Sequence, residues 1–277
     1  MMHPRSFSHL DAAVTLAAVQ MNSSDDWKEN LATAERLVTE AAQSGAQLVA
    51  LPEFFPIISK DLQARLDLAE EEGQGPLQEA LSALAAKLGI WLVAGSLPLK
   101  TYVEDKTTNT CLVYGPDGQQ RVRYDKIHLF GFQKDGESYN ESETFIPGER
   151  PAIFDTPFGR VGLAVCYDLR FPELFRALDE VDLLIVPSAF TVPTGQAHWE
   201  LLLRARAVEN QCYVLAPAQV GQHADGRKTW GHSLLIDPWG EVVACLPQGE
   251  GVISGQLDSQ RIQEIRAQLP ALNHRRL

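Results

Sequence analysis

The stretch Arg160-Val-Gly-Leu-Ala-Val-Cys166-Tyr-Asp-Leu-Arg-Phe-Pro172-Glu-Leu decides the fold of this chain. An apolar run of strand length ends at Cys166, and Pro172 lies where proline fits the first turn of a helix. The pattern therefore predicts a strand, a sharp turn and a helix. Such a turn lifts Cys166 off the end of a sheet, toward the free amide groups that open the helix. Because these groups lower a thiol pKa and can bind an oxyanion, Cys166 is a candidate nucleophile.

The alternative role of Cys166 is structural, because free cysteine is one of the most buried residue types. A cysteine nucleophile needs a base and a positive group, and two other strand-like runs end in such groups. Glu53 follows Ala46-Gln-Leu-Val-Ala-Leu-Pro52, and Lys126 follows Arg121-Val-Arg-Tyr-Asp125. The apolar surroundings of Glu53 predict desolvation, which raises a carboxyl pKa toward the range useful for proton transfer. Three strand ends thus supply a nucleophile, a base and a cation.

These three segments resemble the catalytic segments of a known family. Glu53 in Leu-Pro-Glu-Phe, Lys126 in Tyr-Asp-Lys-Ile-His and Cys166 in Val-Cys-Tyr-Asp-Leu-Arg-Phe-Pro-Glu are similar, in order and separation, to the Glu, Lys and Cys segments of the nitrilase superfamily of carbon-nitrogen hydrolases. The resemblance covers nearly the whole chain. It includes a fourth carboxylate, Glu143 in Glu-Thr-Phe-Ile-Pro-Gly148.

The resemblance implies a role for each of these residues. Cys166 would attack an amide carbonyl, with Glu53 as the proton acceptor and donor, and a thioester would form. Lys126 and the backbone N–H of Tyr167 would hold the oxyanion. Glu143 would lie near the water that releases the acid. The reaction implied needs no cofactor, and the scattered histidines and cysteines predict no metal site.

The resemblance also implies a class of substrate. Residues 198–213 and 231–240 look most like the deaminated glutathione amidases, which cleave deaminated glutathione to 2-oxoglutarate and cysteinylglycine. Phe190 and Thr191, which follow the segment Val186-Pro-Ser-Ala, would line the substrate pocket. The segment Lys126-Ile-His-Leu-Phe-Gly and the loop through Asn140 partly resemble ω-amidases, which act on 2-oxoglutaramate. Another small-amide or N-carbamoyl hydrolase is a further alternative.

A non-enzymatic scaffold is the other functional class. It is disfavoured because a binding module has no need of Glu53, Lys126, Cys166 and Glu143 together. The sequence does not decide which arginine would bind a substrate carboxylate, and Arg204 and Arg206 are interpreted as ordinary helix residues.

Strand and helix patterns alternate along the chain and predict an α/β fold. We expect helices near residues 27–44, 77–88, 172–179 and 197–209, and a hairpin over 108–125 that returns Lys126 to the end of a sheet. A long polar loop is expected at 131–147. Residues 1–277 are predicted to form one domain, with 1–12 as a loose N-terminus. The resemblance implies a four-layer αββα sandwich and a homodimer.

Charge and composition exclude other classes of protein. The formal net charge is −12 with no basic run, so nucleic acid is an unexpected partner. The chain shows neither an apolar stretch of membrane-spanning length nor a signal peptide, which predicts a cytoplasmic protein without a membrane partner. The other three cysteines, Cys111, Cys212 and Cys245, are predicted to lie in the core. The expected ligand is therefore still the small-molecule amide that the resemblance implies.

Overall fold

The computed structural model describes residues 13–134 and 137–276, with only the backbone of 133, 134 and 137–139. The predicted loose N-terminus, residues 1–12, lies outside this part of the chain. The strands are β1 (Val14–Gln20), β2 (Leu48–Ala50), β3 (Trp91–Val93), β4 (Leu97–Lys100), β5 (Thr107–Tyr114), β6 (Gln120–Asp125), β7 (Gly131–Lys134), β8 (Glu137–Asn140), β9 (Ala152–Thr156), β10 (Gly159–Leu163), β11 (Leu183–Ile185), β12 (Tyr213–Ala216), β13 (Val220–Gln222), β14 (Lys228–Trp230), β15 (Ser233–Ile236), β16 (Val242–Leu246) and β17 (Gly251–Leu257). The helices are α1 (Trp27–Gln43), α2 (Leu62–Leu68), α3 (Pro76–Leu88), α4 (Pro172–Ala177), α5 (Val192–Asn210) and α6 (Ser259–Gln268), with 3₁₀ helices at Glu141–Glu143, Cys166–Arg170 and Ala271–His274.

Two mixed sheets carry the fold. The first has the order β17-β1-β2-β3-β5-β4, with β6 paired to β5, and the second has the order β16-β15-β12-β11-β10-β9. At the centre of each sheet three strands run parallel, β1-β2-β3 in one and β10-β11-β12 in the other. Because parallel strands need crossovers, helices cover the outer faces of both sheets.

The alternation of side chains along β1 shows how the layers form. Leu16 and Ala18 pack into the core between the two sheets, together with residues such as Val161 of β10. Ala17 and Val19 point the other way, into the core shared with α1 and α3. This two-residue period divides the apolar side chains between the layers. The αββα sandwich predicted from the sequence is confirmed.

Three details differ from the sequence expectations. Helix α5 begins at Val192 rather than near residue 197, because Thr191 is its N-cap and Pro193 fits its first turn. The expected polar loop at 131–147 contains the hairpin β7–β8 and a 3₁₀ helix. Cys245 is exposed, whereas Cys111 and Cys212 are buried as predicted.

Among the described residues, no helix combines the length and apolar character needed to cross a bilayer.

Gly95 is a point where the backbone next to the catalytic segments tolerates no side chain. Its φ is +57°, and a Cβ there would overlap the carbonyl oxygen of Pro52. We expect Gly95→Ala to lower the free energy of unfolding by about 2–3 kcal/mol, because it adds a clash to a strained φ. Urea denaturation measures the loss.

Gly89→Ala is the matched control. Gly89 has a similar φ of +65°, but no neighbouring atom lies within 4 Å of its added Cβ. Strain alone should cost about 1 kcal/mol there. Equal losses in the two variants would show that contact with Pro52 is unimportant.

Candidate active site

The structure brings three predicted residues, Glu53, Lys126 and Cys166, to one place. Lys126 Nζ lies 2.8 Å from Glu53 Oε1, and Cys166 lines the same pocket as Glu53. Glu53 follows β2 and Lys126 follows β6, both in the first sheet, whereas Cys166 follows β10 of the second. The site therefore lies where the ends of the two sheets meet.

Both oxygens of Glu53 are held in fixed positions. The Asn109 side chain donates to Oε1 at 2.9 Å, and the Ala189 backbone N–H donates to Oε2 at 2.9 Å. Only 1% of Glu53 is exposed. Burial raises the pKa of this carboxyl, and the negative charge of Glu141 raises it further, although Lys126 acts in the opposite direction. A carboxylate whose pKa is raised in this way is a better proton acceptor than one in water.

Lys126 is a fully buried cation held between two carboxylates. Its Nζ donates to Glu53 Oε1 and to Glu141 Oε2, both at 2.8 Å. Burial alone would lower the pKa of Lys126, but the charges of Glu141 and Glu53 outweigh burial and raise the pKa above its ordinary value. The ammonium group therefore stays charged and can stabilise a developing oxyanion.

The carboxylate beside Lys126 is Glu141 and not Glu143, which was expected near the water that releases the acid. The side chain of Glu143 is exposed and accepts a hydrogen bond from Asn140 at 3.0 Å. Both glutamates lie in one 3₁₀ helix, where residues two apart are rotated by about two thirds of a turn. Only one of them can face Lys126. The backbone N–H of Phe130 also donates to Glu141 Oε2 at 2.8 Å and so fixes that choice.

The turn at Cys166 is as sharp as the sequence predicts. Cys166 has a φ of +50°, a left-handed conformation that is uncommon for a residue with a side chain. Buried Asp168 holds this turn by accepting from the N–H of Val165 at 2.9 Å and from the Tyr124 hydroxyl at 2.7 Å. It also accepts from the backbone N–H of His128 at 2.9 Å. One carboxylate thus ties the cysteine turn to the segment that carries Lys126.

The direction of the Cys166 pKa shift is opposite to the sequence expectation. Burial raises the pKa of the thiol well above its ordinary value, and the charge of Glu53 raises it further, which outweighs the effect of Lys126. The sequence expectation rested on the helix end and left out burial and the two carboxylates. The Cys166 thiol is therefore neutral at rest, and a base such as Glu53 must remove its proton before the sulfur can attack a carbonyl.

A pocket opens above the Cys166 thiol. It holds about 340 Å³ of empty space, including its mouth. The predicted residues Tyr167, Phe190 and Thr191 all line it. Further lining residues that the sequence did not single out are Phe54, Phe130, Glu141, Arg170, Ala189, Thr194 and Arg227. The pocket therefore combines aromatic walls with two arginines.

Some pocket residues were not predicted from the sequence, and the sequence signals for them differ in strength. Arg170 lies four residues after Cys166 in the quoted stretch, so its position was a usable signal. Asn109 lies in the β5–β6 hairpin and Arg227 in the turn between β13 and β14. Both reach the site only because the fold packs these hairpins against segments that are distant in the sequence. Arg204 and Arg206 do not line the pocket: Arg206 donates to the Leu169 carbonyl, and Arg204 to that of Gly240.

Comparison with known proteins decides the family. Residues 15–267 match the carbon-nitrogen hydrolase family. The chain belongs to this family. It is a hydrolase of carbon-nitrogen bonds in amides other than peptides, as the sequence predicted.

Relatives of this hydrolase carry two different names. A deaminated glutathione amidase of Yersinia enterocolitica is 41% identical over 266 residues, which cover 94% of this chain and 92% of the relative. Omega-amidase NIT2-A of Xenopus laevis is 43% identical over 270 residues, which cover 96% of each chain. The crystal structure of Saccharomyces cerevisiae Nit3, a member of branch 10 of the nitrilase superfamily, matches with a TM-score of 0.85 at 34% identity, covering 96% of this chain and 97% of Nit3.

A matched pair of variants tests the assignment of the carboxylate beside Lys126. Glu141→Gln should lower kcat/KM by at least about 100-fold, because it removes one of two charges that hold the lysine in place. Glu143→Gln should stay within about threefold of wild type, because surface changes of this kind are nearly neutral. Steady-state kinetics on an amide that the wild type hydrolyses, with thermal unfolding as the fold control, measures both. A large loss in Glu143→Gln alone would contradict the assignment.

Proposed function

We propose that this hydrolase is a cysteine-dependent amidase that cleaves deaminated glutathione to 2-oxoglutarate and cysteinylglycine. The observation that carries the proposal is the buried Glu53, Lys126 and Glu141 cluster beside the Cys166 thiol, in a pocket that also contains arginines. The cluster supplies proton transfer and a fixed positive charge, and the arginines suit an anionic substrate.

The first half of the proposed reaction forms a thioester. Glu53 takes the thiol proton while Cys166 Sγ bonds to the amide carbonyl carbon, and the carbonyl oxygen becomes an oxyanion. Lys126 Nζ and the backbone N–H of Tyr167 stabilise this oxyanion. When the oxyanion collapses, the carbon-nitrogen bond breaks, and Glu53 returns its proton to the departing nitrogen. The amine half then leaves.

The second half releases the acid. A water molecule gives a proton to Glu53 and attacks the thioester carbonyl, which forms a second oxyanion at the same position. Its collapse breaks the bond to Cys166 Sγ, and the proton on Glu53 returns to the sulfur. Glu141 keeps Lys126 in place through both halves, because it binds the side of the ammonium group that Glu53 does not occupy.

The second candidate function is that of an ω-amidase, with 2-oxoglutaramate as the substrate. It is supported by the 43% identity to a protein of that name, which is as high as the identity to the deaminated glutathione amidase. Both substrates share the 2-oxoglutaryl acyl half and differ in the amine that leaves. Other small amides and N-carbamoyl compounds remain further alternatives.

The assembly of the protein is a separate proposal. Leu201 and Val208 are 68% and 48% exposed and lie seven residues apart on α5, so they share one face of that helix. Such an apolar face supports the homodimer that the superfamily resemblance implies. The single domain and the cytoplasmic location stay predictions.

Release of 2-oxoglutarate from the two amides tests the function. We expect the wild type to prefer deaminated glutathione, and Cys166→Ala to lower turnover of both amides by at least about 1,000-fold, because the nucleophile is lost. The thermal unfolding temperature of the variant should match that of the wild type.

Three outcomes would change the account. Substantial turnover by Cys166→Ala would contradict the thioester mechanism. A preference for 2-oxoglutaramate would make the protein an ω-amidase. Turnover of neither amide would leave the amide unidentified and return the scaffold to consideration.

A further inference from the structure

A second space adjoins the pocket above Cys166. It is lined by Phe54, Ile57, Ile58, Ser59, Arg65, Phe130, Asn140, Glu141, Thr144, Phe145, Asp225 and Arg227, and we name it the arginine chamber. Four of these residues, Phe54, Phe130, Glu141 and Arg227, also line the pocket. The two spaces therefore adjoin each other, and these four residues form their shared wall.

Arg65 of α2 is placed to bind a ligand in this chamber. Its guanidinium packs over the Phe145 ring at 4.3 Å, and that ring stacks on Phe54 at 5.8 Å. One face of the guanidinium is thus fixed. Its buried Nε has no hydrogen-bond partner, and Arg65 forms no ion pair within the described part of the chain. A buried donor without a partner is costly, and a bound acceptor would remove that cost.

The charges around Arg65 indicate that the missing partner is an anion. Burial, helped by the positive charge of Arg227, lowers the pKa of Arg65 to about 10, although Glu141 acts in the opposite direction. The two acidic residues of the chamber already contact other cations. Glu141 binds Lys126 Nζ at 2.8 Å, and Asp225 lies 3.4 Å from Arg227 Nε. Of the four charged residues that line the chamber in the described part of the chain, Arg65 alone forms no ion pair.

The position of Glu141 indicates which half of the amide enters the chamber. Glu53 and Glu141 both line the pocket above Cys166, and Glu53 protonates the departing nitrogen in the proposed reaction. Phe54, the residue after Glu53, borders the chamber together with Glu141, so a chain that continues beyond that nitrogen can extend toward Arg65. Arg170 lines only the pocket, packed on Tyr167 and Phe190, and so remains near the acyl half.

We propose that the arginine chamber binds a carboxylate on the amine half of the substrate, through Arg65 together with Arg227. Arginine suits this role, since its planar guanidinium donates two parallel hydrogen bonds to a carboxylate. The chamber would then select amides whose leaving amine bears a carboxylate, such as cysteinylglycine, over amides that release ammonia. This inference rests on the proposed function and gives a physical reason for the first substrate over the second.

Three amides with the same acyl half test the proposal. They are deaminated glutathione, its analogue with a C-terminal carboxamide in place of the carboxylate, and 2-oxoglutaramate. For the wild type, kcat/KM on the carboxylate form should exceed that on the carboxamide form by roughly 10- to 100-fold, as expected for a charge-assisted contact. Arg65→Gln should reduce this ratio to within about threefold of one, because the charged contact is lost.

Two further variants serve as controls. Arg36→Gln removes an exposed arginine from α1, far from the chamber, and should keep the wild-type ratio. Arg65→Lys keeps the charge but loses the planar donor pair, so an intermediate ratio is expected. This variant also carries the test if Arg65→Gln does not fold, which thermal unfolding shows.

The outcomes separate this inference from the proposed function. A wild type that treats carboxylate and carboxamide forms alike overturns the inference alone, as does an unchanged ratio in the Arg65 variants. A wild type that hydrolyses only 2-oxoglutaramate overturns both the inference and the proposed cleavage of deaminated glutathione. If the wild type releases 2-oxoglutarate from none of the three amides, the proposed function fails and the inference fails with it.

Discussion

The ammonium group of Lys126, buried between the carboxylates of Glu53 and Glu141, is the interaction on which the rest of the site depends. Removing a charge from water costs several kcal/mol or more, so a buried lysine persists only with close, well-oriented partners. Here two oxygens lie 2.8 Å from Nζ on different carboxylates. One positive and two negative charges leave a net charge of −1. Burial raises the pKa of the Cys166 thiol, and this excess negative charge raises it further.

The protonation state of Cys166 follows from this charge balance. A thiolate would add a second excess negative charge to a buried site, so the sulfur keeps its proton until a substrate arrives. Glu53 has a raised pKa and lines the same pocket as the thiol, and it is therefore the expected proton acceptor. The positive charge of Lys126 then stabilises the oxyanion that forms when the proton moves. Each residue thus has a role that depends on the buried ion cluster.

The fold stabilises this ion cluster because segments from both sheets hold its side chains in position. Buried Asp168 joins the Cys166 turn to the backbone of His128, two residues after Lys126. The Ala189 N–H, which comes from the second sheet, holds a carboxylate oxygen of Glu53, which comes from the first. These hydrogen bonds connect the ends of the two sheets at the site. Preorganisation of this kind is what electrostatic stabilisation of a transition state requires.

The sequence predicted the layers of the fold and three of the four charged or nucleophilic residues at this site. It could do so because Glu53, Lys126 and Cys166 each follow a strand-like run directly. Glu141 was missed because two glutamates on one short 3₁₀ helix differ only in the direction they face, which the local sequence does not specify. The Asn109 and Arg65 contacts depend on tertiary packing between distant segments, so no local pattern reveals them.

The upward direction of the Cys166 pKa shift also could not be predicted from the sequence. A helix end and a lysine are visible in the sequence, and both stabilise a thiolate. Burial and two nearby carboxylates become visible only in the folded protein, and they outweigh the lysine. The sequence does not give the relative sizes of these opposing effects on the Cys166 pKa, because they depend on the distances between charges and on the exclusion of water.

The most direct measurement is the pH dependence of thiolate absorbance near 240 nm, taken as the difference between wild type and Cys166→Ala. This difference isolates Cys166 from the other three cysteines. The account predicts no thiolate signal from Cys166 at neutral pH and a midpoint above 9.0, the ordinary value for a thiol. A thiolate signal at pH 7 would contradict it, and would mean that the positive charge of Lys126 outweighs burial and the two carboxylates.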